Sequence, residues 1–260
     1  MTDVTLLFWE RASYALIPMS AWMMPRGAKA ATAMCNRFTV LEYDEVEGIV
    51  RSIVFQTPFL VQPDWPARRD AFPQNAAPVI VSNAIPYPSR NSSAWTQSLS
   101  VANLTWGFDV PWKNGVVFNT RIESALAGGG MWDAAIHEGR CIVPTLGFCE
   151  THASEMARNP QTGRMVKQRY RFTAPDGESP VMFLAAVQQA GRFSIVTTQP
   201  NAVVSPVHNR MPLVLARDEL GLWMEGDYSK LSDRSGINLS ATSELPPTID
   251  DGCGDQLRLF

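Results

Sequence analysis

The chain is poor in metal ligands: 260 residues hold only three histidines and four cysteines, Cys35, Cys141, Cys149 and Cys253, and no two cysteines form a Cys-x-x-Cys pair. That spacing argues against a zinc site, so no metal and no cofactor is expected. A long unbroken apolar run is also missing. The N-terminal stretch VTLLFWERASYALIPMSAWMMP is interrupted by Glu10 and Arg11 and broken by Pro18 and Pro25, so it does not read as a membrane span. Its charges lie inside the apolar run instead of ahead of it, unlike a secretory leader. A reducing, cytoplasmic compartment with free thiols follows as the expectation. Excess positive charge is lacking too. With 22 Lys and Arg against 25 Asp and Glu, the net charge is −3, which excludes a broadly basic nucleic-acid surface but leaves room for a small basic cleft. Basic residues do gather at Arg68-Arg69 and from Arg164 to Arg171, where a solvated face or strand edge is the plain reading.

What is present is a globular composition, 45% hydrophobic and 18% charged, long enough to bury a substantial core. Residues 1–33 show neither clean periodicity nor helix caps. Pattern begins at MCNRF, Met34 to Phe38. Thr39 and Glu42 have the spacing of a capping box, and Val46, Ile49, Val50 and Ile53 recur at helical intervals behind it. Residues 55–75 read as an extended loop. From residue 76 the runs APVIVSN, SLSVANLTWGF, GVVFNTRIES, RCIVPTLGFCE, VKQRYRFTAPDG, PVMFLAAVQ, FSIVTT and RMPLVLA read as strands parted by turn residues. GGGMWDAAIHEG and ARDELGLWME read as short helices, the first closed by Gly139. With no repeat and no parallel βαβ rhythm, the fold class is α+β: a curled antiparallel or mixed sheet, barrel-like, with peripheral helices. A single domain is expected over residues 34–225. It is preceded by an extension, 1–33, and followed by a flexible tail, 226–260, where hydrophobic pattern fades into Ser, Asp, Gly and Pro.

Four polar clusters sit at the ends of apolar runs: Cys35 with Arg37; Asn119, Arg121 and Glu123; Glu150; and His208 with Arg210. Alternation along one strand would put Asn119, Arg121 and Glu123 on a common face. Taken in order, MCNRF, QNAAP, WGFDVPW, FNTRIES, RCIVPTLGFCE and HNRMPLVL resemble the SOS response-associated peptidase family, whose members are also called abasic-site processing proteins. The resemblance runs from Met34 to about Trp223.

That resemblance implies covalent capture of abasic sites in single-stranded DNA by an N-terminal cysteine. Its amine condenses with the ring-opened aldehyde and its thiol closes a thiazolidine. An α-amine with a pKa of about 7.7–8.0 is partly neutral at pH 7, and the thiol would gain from a neighbouring cation such as Arg37. By the same resemblance, Asn119 positions the sugar or the Cys35 backbone, Glu150 carries protons, and His208 is a second acid/base. Arg37, Arg121 and Arg210 would bind phosphates, and Trp106 or Trp112 would offer a stacking surface, with core packing as the alternative for either tryptophan. A monomer acting near the nucleoid, off the membrane, is the implied setting. Two rival functions remain: a cysteine peptidase acting on itself or other proteins, and a non-enzymatic adaptor for single strands.

Departures from the family pattern are Asn36 where Gly is common, FCETH around Glu150 where FYEW is common, and NTRIES for NARSET. The largest is the segment before Cys35. While it is attached, Cys35 has an amide nitrogen, which cannot form an imine. A start at Met34, a pro-segment removed by the protein itself, and a persistent extension with loss of crosslinking are the three alternatives. At the other end, Gln256, Leu257, Leu259 and Phe260 in QLRLF resemble the sliding-clamp-binding motif of bacterial replication proteins: a polar anchor followed by apolar side chains for a pocket. A terminal strand packed on the sheet is the alternative. Deletion of Gln256–Phe260 is expected to abolish binding to immobilised sliding clamp while leaving DNA crosslinking intact; unchanged clamp affinity refutes the motif.

Overall fold

The computed structural model describes residues 35–54, 69–83, 98–111 and 114–246. The 1–33 extension, Trp112, Cys253 and the clamp-like residues Gln256, Leu257, Leu259 and Phe260 lie outside them. Strand β1 (Arg37–Val40) leads into helix α1 (Tyr43–Val54), followed by β2 (Asp70–Ala71), β3 (Ala76–Asn83), β4 (Ser98–Trp106), β5 (Phe108–Asp109), β6 (Val116–Val117) and β7 (Asn119–Arg121). Helices α2 (Ile122–Leu126) and α3 (Asp133–Glu138) precede the long β8 (Arg140–Arg158) and β9 (Met165–Thr173). Then come β10 (Met182–Gln189), β11 (Arg192–Thr198), β12 (Met211–Pro212), β13 (Val214–Leu215), α4 (Leu220–Met224) and β14 (Ser240–Ser243).

The α1 stripe forms as its spacing requires, with Val46, Ile49, Val50 and Ile53 buried. Its start differs from expectation. Thr39 is a strand residue in β1, and the cap lies three residues on, where the Glu45 carboxylate accepts the Glu42 backbone N–H at 2.8 Å. Pairing with β8 and β2 outweighs the local capping signal at Thr39.

Twelve strands form one mixed sheet in which β3, β4, β11, β10 and β8 pair in a ring. The sheet is partly ring-like and not the barrel expected, because β1, β2, β7, β9 and β12–β14 pair off that path. Most pairs are antiparallel; β11 runs parallel to β4 and to β7. Both faces of β10 are buried over Met182–Val187, which is why PVMFLAAVQ is a continuous apolar run without alternation. In β10, Phe183, Ala185 and Val187 join one core cluster, while Met182, Leu184 and Ala186 join the other. The first cluster lies under the helices, with Val46, Ile122, Ile136 and Trp223. The second lies on the opposite face of those strands and gathers Cys35, Phe38, Trp106, Phe148 and Phe193.

Strand β8 changes facing midway. Ile142 and Leu146 pack on the helix side, yet Phe148 belongs to the second cluster, so even-numbered residues switch face between 146 and 148. The β1 register shifts by one residue at the same place, Val40 opposite Thr145 but Phe38 opposite Phe148, which is a β-bulge. Thr145 Oγ1 stabilises it, accepting from the Gly147 N–H at 3.1 Å and donating to the Thr39 carbonyl at 2.7 Å. A Cβ on Gly147 would stand 2.7 Å from the Phe172 carbonyl oxygen of β9.

Residues 226–246, expected within a tail, fold back on the domain. Leu231 and Leu239 are buried, and β14 pairs antiparallel with β9. The sparse apolar residues of this stretch are enough because β9 supplies the backbone partners.

Gly147→Ala is expected to destabilise the protein by about 1–3 kcal/mol, read as a shift in the denaturant midpoint; an unchanged midpoint would show that the bulge tolerates a side chain.

Candidate functional site

Cys35 stands two residues ahead of β1, and β1 lies along β8 with Arg37 opposite Cys149. This brings the Cys35 backbone nitrogen to Glu150, to which it donates a hydrogen bond of 2.8 Å at Oε1. Both residues are buried, Cys35 at 0% and Glu150 at 2% exposure. Cys35 has a φ of +21°, an uncommon value for a residue with a side chain. From β7, Asn119 Nδ2 approaches the Cys35 carbonyl at 3.5 Å, so the two polar groups of the Cys35 backbone face side chains from two other strands. Of the two roles expected for Asn119, contact with the Cys35 backbone is the one the geometry offers.

Burial governs the proton affinities. It raises the Glu150 carboxyl to about 8, against the opposing effect of the Cys35 N–H. A carboxyl in that range exchanges protons near neutrality. The Cys35 thiol is raised well above its usual value by burial first, then by Glu150 and Cys149. Arg37 opposes this only through its backbone, which differs from the expected cationic assistance. Arg37 pairs across the sheet with Cys149, whose strand neighbours Phe148 and Glu150 point to the other face. Its guanidinium binds Asp70 at 3.2 Å and Glu244. The same charge bears on Cys149, whose thiol burial raises to about 11 while Arg37 and Arg171 hold it down.

His208 is buried beside Val207 and Met211, both in the core cluster that contains Cys35. Its Nδ1 lies 3.2 Å from the backbone nitrogen and oxygen of Arg210. Burial depresses its basicity, against the backbone contact, so a neutral ring is favoured at pH 7.

The proposed DNA ligands are scattered. Trp106 is fully buried, donates Nε1–H to the Phe118 carbonyl at 2.8 Å, and packs on Phe38, Phe118 and Phe193. It is a core residue, not a stacking platform. Arg210 is buried and grips both oxygens of Glu123, at 2.6 and 2.7 Å, and the Thr197 carbonyl at 2.7 Å. The pair holds α2 against β11 and keeps the Glu123 carboxyl below its ordinary range. Glu123 is helical, so it does not share a strand face with Asn119 and Arg121; β7 ends at Arg121. Arg121 is exposed at that end and has no ion pair with any described residue.

The sequence reading missed the cluster on the far face: Arg37, Asp70, Arg171 and Glu244, with Thr39 also bonded to Arg171. The signal available was the alternation Lys167, Arg169, Arg171 in KQRYR, but the acids come from sites remote in sequence. FCETH packs without the missing aromatics, since Phe148 stacks on Phe172 at 5.1 Å and Cys149 lies beneath the two arginines. Among the described residues no helix is long and apolar enough to cross a membrane.

Fold and site together define an α+β mixed-sheet domain that presents a cysteine backbone nitrogen to a buried, protonatable carboxyl. The SOS response associated peptidase (SRAP) family matches residues 34–244, and the chain belongs to that family. Membership associates it with the response to DNA damage. Among solved structures it is similar to a phage-related protein from Bordetella bronchiseptica, with 22% identity over 80% of this chain and 93% of that one and a TM-score of 0.55. A protein from Bacteroides thetaiotaomicron, at 17% identity and 80% and 91% coverage, and another from Bordetella bronchiseptica, at 16% and 80% and 99%, both give a TM-score of 0.52. These likenesses concern the fold. No curated protein matches the chain.

The Glu150 carboxyl holds its proton in the folded state up to about pH 8 and loses it near the ordinary value when unfolded. Between those limits the folded state binds more protons, so stability falls as pH rises. Glu150→Gln removes that dependence. The variant is expected to gain stability relative to wild type between pH 5 and pH 8, by more than about 1 kcal/mol, in denaturation curves at both values. Parallel curves would assign Glu150 an ordinary proton affinity.

Proposed function

We propose that the chain, once Cys35 is its first residue, captures abasic sites in single-stranded DNA as a covalent adduct. The observation that carries this reading is the 2.8 Å contact between the Cys35 nitrogen and Glu150. With a primary amine in place of the amide, that nitrogen attacks the aldehyde carbon of the open sugar. Glu150, protonated, gives its proton to the carbinolamine hydroxyl, which leaves as water, and a protonated imine remains beside the Glu150 carboxylate. The raised thiol affinity suits the order of events: the sulfur is not a standing thiolate, so the amine reacts first. The Cys35 S–H then adds across the C=N bond. Sulfur bonds to carbon, the C=N electron pair returns to nitrogen, and the thiol proton passes to the Glu150 carboxylate, which is restored to its acid form. His208, favoured neutral, is the reserve base for opening the sugar ring. Arg121 is the phosphate ligand that the geometry leaves most available, and Arg37 and Arg210 would first have to release their carboxylates.

A second reading has support from the same contact. If residues 1–34 are a pro-segment, Glu150 stands where a proton must be delivered to the Cys35 nitrogen as the Met34–Cys35 bond breaks. A free-standing cysteine peptidase has less support, because burial and Glu150 keep the Cys35 thiol protonated. A clamp-tethered, non-covalent adaptor would bind intact and abasic strands alike.

Denaturing electrophoresis with an abasic oligonucleotide, paired with N-terminal sequencing, tests the proposal. Protein beginning at Cys35 is expected to form a denaturation-resistant adduct, and Glu150→Gln to slow it by about 100-fold or more. Cys35→Ser with a free N-terminus should give only a reductively trappable imine. An adduct from protein still carrying residues 1–34 would overturn the mechanism.

A further inference from the structure

The outward face of the β8–β9 hairpin carries a pattern that the Cys35 site does not use. Met165, Lys167, Arg169 and Arg171 alternate along β9 and so share a face. Cross-strand register adds Met156 opposite Lys167 and Arg158 opposite Met165. The other face is packed: Ala157, Gln168 and Phe172 are buried, and Gln168 Nε2 donates to the Leu245 carbonyl at 2.9 Å. The hairpin therefore offers one face only.

Charge on that face is unbalanced. Arg158, Lys167 and Arg169 are exposed. Arg158 donates to the Gly163 carbonyl at 3.1 Å, and neither it nor Lys167 has an ion pair among the described residues. Arg169 reaches Glu244 only at 3.9 Å, and that carboxylate is held by Arg37 and Arg171. Glu155 belongs to the inner side, where the Tyr170 hydroxyl donates to it at 2.8 Å. Asp70 and Glu244 thus answer Arg37 and Arg171, and three cations are left over on a chain whose net charge is −3. Between them stand Met156 and Met165, 42% and 47% exposed.

We propose that this face is a second binding surface for single-stranded DNA, on the side of the sheet opposite Glu150. Phosphates meet Arg158, Lys167 and Arg169, and unpaired bases rest on the two adaptable methionine side chains. Duplex DNA is the poorer fit. Its bases are stacked on one another inside the helix, which leaves the two methionine side chains no base face to hold. The inference rests on the proposed function only in taking DNA as the ligand; it does not require Cys35 chemistry.

Fluorescence anisotropy of the full chain with an undamaged single-stranded 20-mer, across a range of KCl concentrations, tests it. Replacing Arg158, Lys167 and Arg169 by Glu together is expected to weaken binding at least tenfold and to flatten the salt slope by about 2. Met156→Ala with Met165→Ala should weaken binding with the slope unchanged. Charge reversal at Arg51 and Lys230, on other elements, should leave the 20-mer affinity within about threefold, and wild type should prefer the single strand to the duplex. Adduct formation on an abasic 5-mer, measured with protein that begins at Cys35, is expected to be equal with and without the triple substitution, so failure of covalent capture and failure of this surface are read separately. Unchanged affinity and slope in a correctly folded triple variant would overturn the proposal. So would a triple variant that loses only its binding to phosphatidylserine vesicles.

Discussion

The site depends on one buried hydrogen bond, from the Cys35 nitrogen to Glu150. A carboxyl removed from water resists ionisation, and Glu150 is accordingly raised to about 8. The core around it is dense with aromatic side chains, Phe38, Trp106, Phe148 and Phe193, which exclude water from the second cluster. Their packing is what turns an ordinary glutamate into a group that trades protons near neutrality. Trp106 contributes in this way, from inside the core, and not by touching a ligand.

The sheet separates two kinds of electrostatics. On the inner face the Glu150 carboxyl, a neutral-favoured imidazole and a protonated thiol occupy apolar surroundings. On the outer face Arg37, Arg171, Asp70 and Glu244 form a partly exposed network that solvent screens. Cys35 and Cys149 show the division, since the first is governed by burial and an acid, and the second by burial opposed by two arginines. Net charge says nothing of this arrangement; alternation along β8 and β9 does.

Much of the fold was legible in the sequence. Apolar runs of strand length, Gly and Pro punctuation and the Val46–Ile53 stripe translate directly into β3, β8, β10, β11 and α1. The errors have a common cause, tertiary pairing that overrides a local signal. Thr39 carries a capping pattern but lies in a strand, Glu123 continues a strand alternation but lies in a helix, and residues 226–246 look like tail but dock on β9. The Cys35, Asn119 and Glu150 set was reached by family resemblance, because no local pattern reveals that residues 84 and 115 positions away meet one backbone. The Arg37 network was hidden for the same reason, with Asp70 and Glu244 separated by most of the domain.

The bulge at Gly147 has a consequence for how this domain tolerates change in length. One unpaired residue decides that Glu150, and not Cys149, looks inward. Loops elsewhere can lengthen at small entropic expense, but loss or gain of one residue between Thr145 and Phe148 would exchange an acid for a thiol in the interior and carry the acid out among arginines. Parity along a single strand, and not composition, thus decides which chemical group the interior receives.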